Sequence, residues 1–307
     1  MDTKRFQKQR EYIQSLKSTS IVRFFVANKQ IIGVILILIF LFLFGYYIAL
    51  HPSIISEVLN INPLIGIVIF VLYFGVILTN FVIMYAVIKL RGRTLPAKNG
   101  LLLTMYSSVI NFFGPLQSGP GIRAVYLKTK VGLRIRDYAY AMLFYYGAFA
   151  AINIALLFIN TIWWLTLLGL AGAAILAIIA TRLLKLASFG KFLLLVFVGT
   201  LIQIIFIIII YGTELATIDP SSHLSITQII SYTASANLSL FVSLTPGGIG
   251  IREAFLIFSQ SLHHIGLSSI VAAGVLDRAL YIIFLLVIFV VSSSMHLRQT
   301  FAQKKQS

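Results

Sequence analysis

Six long apolar stretches constrain this 307-residue chain more than any other feature of its sequence. They lie at about residues 31–50, 64–88, 138–159, 162–180, 192–211 and 268–292. An α-helix needs about 20 residues to cross roughly 30 Å of hydrocarbon, and stretches of this length meet that need. Because 59% of all residues are hydrophobic and only 10% are charged, the apolar side chains outnumber what a water-soluble core can bury. The sequence therefore predicts an all-α polytopic membrane protein with about six full spans.

The positions of lysine and arginine predict how these spans are oriented. Of 24 such residues, seven lie in residues 1–30, four in 89–98, five in 123–136, three in 182–191 and three from Arg298 onward. The connections 51–63, 160–161 and 212–225 carry none. By the positive-inside rule, the basic segments and both chain termini face the cytoplasm, in a multi-pass protein of the cell membrane.

This orientation defines three parts of the chain. We predict a basic cytoplasmic segment over residues 1–30, one transmembrane domain over 31–292 and a basic cytoplasmic tail over 293–307. The net charge of +16 is then explained by topology and by contact with anionic headgroups. No nucleic-acid partner is predicted.

Two segments do not fit the six-span scheme and carry the functional information. Residues 99–122 have basic flanks on both sides, so we expect them to enter from the cytoplasm and return, with a break near 114–122. Residues 226–266 start from the outer side and must finish there, with a break near 245–253. The sequence thus predicts two re-entrant or broken helix hairpins of opposite orientation. Two full spans of shorter length are the alternative.

The two breaks resemble each other. "GIRAVYL" at 121–127 and "GIREAFL" at 250–256 share Gly-Ile-Arg followed by an aromatic residue and leucine, at an offset of 129 residues. Inverted-repeat transporters bring such broken helices together near the bilayer midplane, where irregular backbone lines a cavity. We therefore predict an inverted repeat, with two unrelated breaks as the alternative.

Proline and glycine explain how each break forms. Proline lacks a backbone donor and glycine allows a sharp turn, so a helix ends there and a new one begins. The free N–H groups at the new helix start favour a phosphate or a carboxylate. The predicted helix-break residues are Pro115, Gly119, Pro120, Gly121 and Pro246.

Four charged residues lie inside otherwise apolar sequence: Arg252, Glu253, Asp277 and Arg278. Each costs roughly 2.5 to 3.5 kcal/mol at the bilayer centre. Their charges sum to zero, so crossed pairs would neutralise them and form a structural brace. The second interpretation is a polar site in which at least one arginine meets an anionic headgroup. We favour the polar site, because a brace explains neither the glycine-rich break nor its counterpart.

"SLTPGGIGIREA" is similar to a signature of the flippase-like transmembrane domain of lysylphosphatidylglycerol synthetases and of related stand-alone proteins. That signature reads Pro-Gly-Gly-x-Gly-x-Arg-Glu, and here it is matched in full by 246–253. The family's first signature, Pro-x-x-x-Gly-Glu-x-x-Arg, is matched at Pro115, Gly119 and Arg123, but Pro120 stands where glutamate is expected. An arginine in the last span is matched by Arg278.

The resemblance implies a stand-alone transporter that moves anionic lipid, such as aminoacyl-phosphatidylglycerol or a polyprenyl-phosphate-linked glycan, between leaflets. The residues that we expect to bind substrate are Arg123, Gly247, Gly248, Gly250, Arg252, Glu253, Asp277 and Arg278. The anionic lipid is the expected partner, and a homo-oligomer or an envelope-synthesis partner stays open.

Two other functions are alternatives to lipid transport. One is a non-transporting subunit of an envelope lipid or polysaccharide synthesis complex. The other is an intramembrane lipid-modifying enzyme, which is less favoured because the eight acidic residues include no Asp-x-Asp pair and the synthetase domain of the bifunctional relatives is not expected here. Cysteine is absent from the chain. We predict no catalytic residue, no cofactor and no metal site.

Overall fold

A computed structural model of the chain describes residues 61–113, 118–162, 189–220, 223–242 and 251–304, with short pieces at 164, 166–169, 171–172 and 175. All of these residues belong to one compact unit, Glu57–Ser307. Throughout the described ranges the regular structure is helical and contains no β-strand. This confirms the predicted all-α class for that part of the chain. The basic segment 1–30, the span at 31–50 and most of the span at 162–180 lie outside the described residues.

The described ranges contain nine α-helices of very different lengths. In chain order they are α1 (Pro63–Leu90), α2 (Ala97–Phe113), α3 (Gly119–Tyr126), α4 (Ile135–Leu157), α5 (Phe189–Ile218), α6 (Ile226–Val242), α7 (Ile251–Phe258), α8 (Gln260–His263) and α9 (Leu267–Lys304). Four of them, namely α1, α4, α5 and α9, are long and apolar enough to cross a bilayer. The structure therefore supports a membrane protein.

Local sequence explains where the helices begin and end. The Asn62 side chain accepts a hydrogen bond from the backbone N–H of Leu64 (3.0 Å), and Pro63 occupies the first turn of α1, as is typical of a helix start. Gly92 follows α1 with φ of 62°, in the left-handed region that glycine adopts without strain. A π-helical turn at Leu127–Val131 follows α3 and ends at Gly132.

The end of α1 and the start of α4 are joined by charge. Asp137, in the first turn of α4, accepts from Nη2 of Arg91 (2.9 Å) and from Nε of Arg134 (2.8 Å). The carboxylate also complements the helix dipole at this terminus. Contact with Asp137 raises the pKa of Arg134 above its ordinary value.

Helix α5 is longer than the sequence predicts. We expected a span at 192–211 followed by an outer connection at 212–225, but the helix continues to Ile218. The reason is tertiary packing, because Tyr211, Glu214 and Leu215 are buried and lie three to four residues apart, on one helical face. Burial of this face extends the helix beyond the point where hydropathy falls. The helix thus ends seven residues beyond the predicted span.

Packing buries the faces that the helices share. Helix α1 lies along α5, α4 lies along α6, and α9 contacts α2 and α5. One apolar core includes Tyr73, Tyr232 and Leu256, and a second includes Met84 and Leu127. The outward faces are also apolar, as shown by the exposed side chains of Leu64, Val71, Leu194, Ile205 and Val290. Apolar surface on both sides of a helix fits a bilayer environment.

The two halves of the described chain place corresponding helices in the same order. Helices α2 and α6 begin 129 residues apart, at 97 and 226. Each is followed by a short helix, α3 or α7, that carries the arginine of a Gly-Ile-Arg sequence. Helix α1 comes before the first of these pairs and α5 before the second, and α8 separates the second pair from the next long helix. The 129-residue offset between the two Gly-Ile-Arg sequences is thus also the offset between α2 and α6.

Candidate functional site

Two ion pairs join α7 to α9; the first is buried on both sides, and the second includes the half-buried Glu253. Nη1 of Arg252 pairs with Oδ2 of Asp277, and Nη2 of Arg278 pairs with Oε1 of Glu253. Arg252, Asp277 and Arg278 are 6%, 6% and 4% exposed, respectively. The pairing is the crossed arrangement expected from the sequence. It neutralises both arginines and fixes the angle between the short helix and the long one.

A third acidic residue, which sequence reasoning missed, lies beside these pairs. Glu214 on α5 is fully buried, and its Oε1 is 3.3 Å from the hydroxyl of Tyr73 on α1. The same hydroxyl is 2.8 Å from Oδ1 of Asp277. Among the described residues, Oε2 of Glu214 has no hydrogen-bond partner. The missed signal was the three-residue spacing from Tyr211 to Glu214, which places both side chains on the buried face of α5.

Aromatic rings surround the Arg252 side of this cluster. The guanidinium carbon of Arg252 lies 4.9 Å from the ring centroid of Tyr211, a cation–π contact. The Tyr211 ring meets the Tyr232 ring edge to face at 5.8 Å. Within the part of the chain that the structure describes, Nε and Nη2 of Arg252 donate no hydrogen bond. Arg252 therefore keeps two donor nitrogens in addition to its pair with Asp277.

The surroundings of Arg123 differ from those of Arg252. It lies on α3, is 8% exposed, and donates from Nε to the hydroxyl oxygen of Ser107 on α2 (2.5 Å). Tyr138 and Tyr146 of α4 are close enough for electrostatic contact with its guanidinium. No described carboxylate pairs with Arg123, since the ion pairs of the described ranges all involve other cations. It is a buried cation among hydroxyl groups.

The sequence explains this difference between the halves. Arg123 and Arg252 are equivalent in the two Gly-Ile-Arg sequences, but Ala124 stands where the second half has Glu253. The following long helix also differs, because the only acidic residue of α4 is Asp137, which pairs with Arg91 and Arg134. The half that contains α3 therefore lacks both of the acids that neutralise the arginines of the other half.

Glycine allows α3 to approach α2 closely. A Cβ atom added at Gly119 would lie 2.5 Å from the backbone oxygen of Ser107 and 2.7 Å from Cβ of Asn111. A Cβ atom at Gly121 would have no neighbour within 4 Å. Gly119 therefore sets the distance between the two helices, and with it the contact of Arg123 with Ser107.

The predicted helix-break residues divide into two sets. Gly119, Pro120 and Gly121 form the first turn of α3, where a new helix begins. The others lie outside the described residues, as do the glycines expected to bind substrate in the second break: Pro115, Pro246, Gly247, Gly248 and Gly250.

The serines of α6 serve helix packing. The hydroxyl of Ser231 donates to the backbone oxygen of Leu157 on α4 (2.7 Å), and the hydroxyl of Ser235 contacts that of Ser259. The side-chain amide of Asn237 donates to Asn153 on α4 (2.9 Å). These contacts join α6 to its neighbours and satisfy buried polar groups.

Comparison of the chain with known protein families, curated proteins and solved structures finds no match in any of the three.

Proposed function

We propose that the protein is a flippase-like membrane transporter of anionic lipid, with Arg123 as the group that attracts the headgroup phosphate. The observation that supports this most directly is the burial of Arg123 among hydroxyl groups, with no carboxylate partner in the described ranges. A buried cation without a counter-charge is costly in a low-dielectric environment. An anionic headgroup would remove that cost, and the planar guanidinium is suited to binding two phosphate oxygens.

The second half of the site has a different role in this proposal. Arg252 and Arg278 are neutralised by Asp277 and Glu253, so they hold α7 against α9. Among the described residues, Nε and Nη2 of Arg252 have no hydrogen-bond partner, so they would serve as donors for a lipid oxygen that reaches them. The glycines of the second break would supply backbone N–H donors beside it, as the resemblance to flippase-like domains implies.

The proposal includes the membrane arrangement predicted from the sequence: six spans, two hairpins of opposite orientation, and both termini in the cytoplasm. The 129-residue offset between the starts of α2 and α6, which equals the offset between the two Gly-Ile-Arg sequences, supports an inverted repeat. In such a plan α3 and α7 would approach the midplane from opposite sides, with Arg123 facing one leaflet and Arg252 the other. Alternating exposure of the two arginines would then move a headgroup across the bilayer.

The test is the lipid that stays bound to the protein. We would extract the full chain in mild detergent and identify the retained lipid by mass spectrometry, for the native protein and for Arg123→Gln. Lys128→Gln is the matched control, because it removes an exposed positive charge from the adjacent turn. We expect one class of anionic lipid to be enriched on the native protein and on the control, and to be reduced at least tenfold on Arg123→Gln.

Equal retention by all three proteins would contradict the assignment of Arg123. A phosphate-binding role also predicts slow movement of that lipid by Arg123→Gln in proteoliposomes. A folded variant that moves it at the native rate would overturn the transport proposal. Co-purification of a stoichiometric partner from native membranes would instead favour the subunit function.

A further inference from the structure

Among the residues that the structure describes, the cluster around Asp277 contains one more acidic group than basic groups. Two cations, Arg252 and Arg278, face three acidic groups, Glu253, Asp277 and the fully buried Glu214. The two ion pairs use four of these groups. If every group were ionised, the cluster would hold one uncompensated negative charge in the protein interior, where such a charge is costly.

The hydroxyl of Tyr73 determines which of the carboxyl groups binds a proton and so removes the extra negative charge. It lies between two carboxyl groups, 2.8 Å from Oδ1 of Asp277 and 3.3 Å from Oε1 of Glu214. A tyrosine hydroxyl has one proton to donate, and the shorter distance assigns it to Asp277. The oxygens of Tyr73 and Glu214 would then face each other without a proton. A proton on Glu214 completes the chain, because Glu214 donates to Tyr73 and Tyr73 donates to Asp277.

We propose that Glu214 is a proton-binding site, which takes one proton from water to become a neutral acid and returns it to water when it ionises. The described titratable and charged groups that face it lie on α1, α5, α6, α7 and α9, and they are Tyr73, Tyr211, Tyr232, Arg252 and Asp277. Arg252 already pairs with Asp277, so it does not supply a full counter-charge to Glu214.

Protonation of Glu214 changes the charge next to Arg252. With the proton bound the cluster is neutral, and without it the cluster is negative and repels an approaching anion. Proton binding and anion binding therefore favour each other, and this coupling is reciprocal. The coupling to lipid rests on the proposed function, whereas the proton site itself does not. It implies that an anionic headgroup moves together with a proton.

Infrared difference spectroscopy tests the proton site directly. The full-length protein in lipid nanodiscs is compared at the two ends of a titration from about pH 5 to pH 9, the range in which buried carboxyl groups are known to titrate. We expect the carbonyl band of a protonated carboxylic acid to disappear on ionisation and to be missing from Glu214→Gln. Asp219→Asn is the control, because it removes a carboxyl group just beyond the end of the same helix.

Two spectroscopic results would overturn the proton site. One is a native spectrum without a titrating acid band, which requires no variant to fold. The other is a titrating band that survives in folded Glu214→Gln. Either result defeats the proposal whatever lipid is bound.

Lipid retention at two pH values tests the coupling between proton binding and lipid binding. We expect retention of the anionic lipid by the native protein to be at least about fivefold higher at the acidic end, and to be independent of pH in Glu214→Gln, which resembles the protonated state. A titrating Glu214 band with no anionic lipid retained at any pH would leave the proton site standing and defeat the proposed function. Equal retention at both pH values would defeat the coupling alone.

Discussion

Arg252 on α7 and Asp277 on α9 form a buried ion pair that connects a helix of eight residues to one of 38. Removing one partner of such a pair leaves the other charge buried and unpaired. We expect Asp277→Ala to lower the free energy of unfolding by about 3 kcal/mol, the low end for this class, because Glu214 stays nearby. The double variant Arg252→Ala/Asp277→Ala should recover part of the loss. Thermal unfolding in detergent measures both, and a strictly additive loss would contradict the pairing.

Tyr73→Phe removes the hydroxyl of this residue and keeps its ring, so it tests the two contributions separately. The hydroxyl donates to Asp277, whereas the ring packs against Tyr281 and Phe284 at centroid distances of 4.9 and 5.4 Å. Loss of the donor alone should cost about 1 to 3 kcal/mol, because a buried carboxylate oxygen loses its partner. Tyr85→Phe on the same helix is the control, and its effect should stay within about 0.5 kcal/mol. Equal effects of the two changes would argue against a structural role for the Tyr73 hydroxyl.

Gly119→Ala tests the close approach of α3 to α2. The added methyl group would meet the backbone oxygen of Ser107, which cannot move aside as a flexible side chain could. We expect a loss of about 1 to 3 kcal/mol together with weaker lipid retention, since Arg123 is displaced from Ser107. Gly121→Ala adds the same methyl group two residues away, where it meets nothing, and should be neutral. Comparable melting temperatures for the two variants would exclude the proposed contact.

His263 makes stability depend on pH. Its ring is buried between two backbone groups, with Nε2 2.9 Å from the oxygen of Leu256 and Nδ1 3.2 Å from the N–H of Ile265, an arrangement that requires the neutral ring. Burial lowers the pKa of His263 below its ordinary value. The unfolded chain therefore binds a proton first as pH falls. Stabilisation is complete above about pH 6.5 and decreases as the pH approaches the lowered pKa.

The expected result is a lower melting temperature at about pH 5 than at about pH 7.5. His263→Gln should reduce this difference, because glutamine keeps a donor for Leu256 and does not titrate. His264→Asn is the neighbouring control, since His264 is exposed and its φ of 55° suits asparagine. A pH dependence unchanged in His263→Gln would assign it to other groups.

The sequence predicted the helical class and the crossed ion pairs for clear physical reasons. Charges within apolar sequence must find partners, and Arg252, Glu253, Asp277 and Arg278 were the available set. Glu214 was missed because a glutamate after an apolar run resembles the start of a loop. Only the burial of its neighbours on the same helical face shows that α5 continues past it.

The surroundings of Arg123 could not be predicted from the sequence for a different reason. Its motif was visible in the sequence. However, Arg123 is also one of five cations in residues 123–136, which are explained equally well by membrane topology. Its hydroxyl partner, Ser107, lies on another helix, and no local pattern specifies that contact. The common offset between the starts of α2 and α6 was also hidden, because only a seven-residue segment of the two halves shows a resemblance. Both features depend on contacts between residues far apart in the sequence, which short motifs do not specify.

The length of α5 has a consequence for access from water. Thirty residues at 1.5 Å each give an axis of about 45 Å, which exceeds the roughly 30 Å of hydrocarbon in a bilayer. The helix must therefore tilt strongly or project into the headgroup region. Glu214 is four residues from its C-terminal end at Ile218, an axial distance of about 6 Å. The buried acid is thus much nearer to one membrane surface than to the other, and that surface offers the short route for a proton.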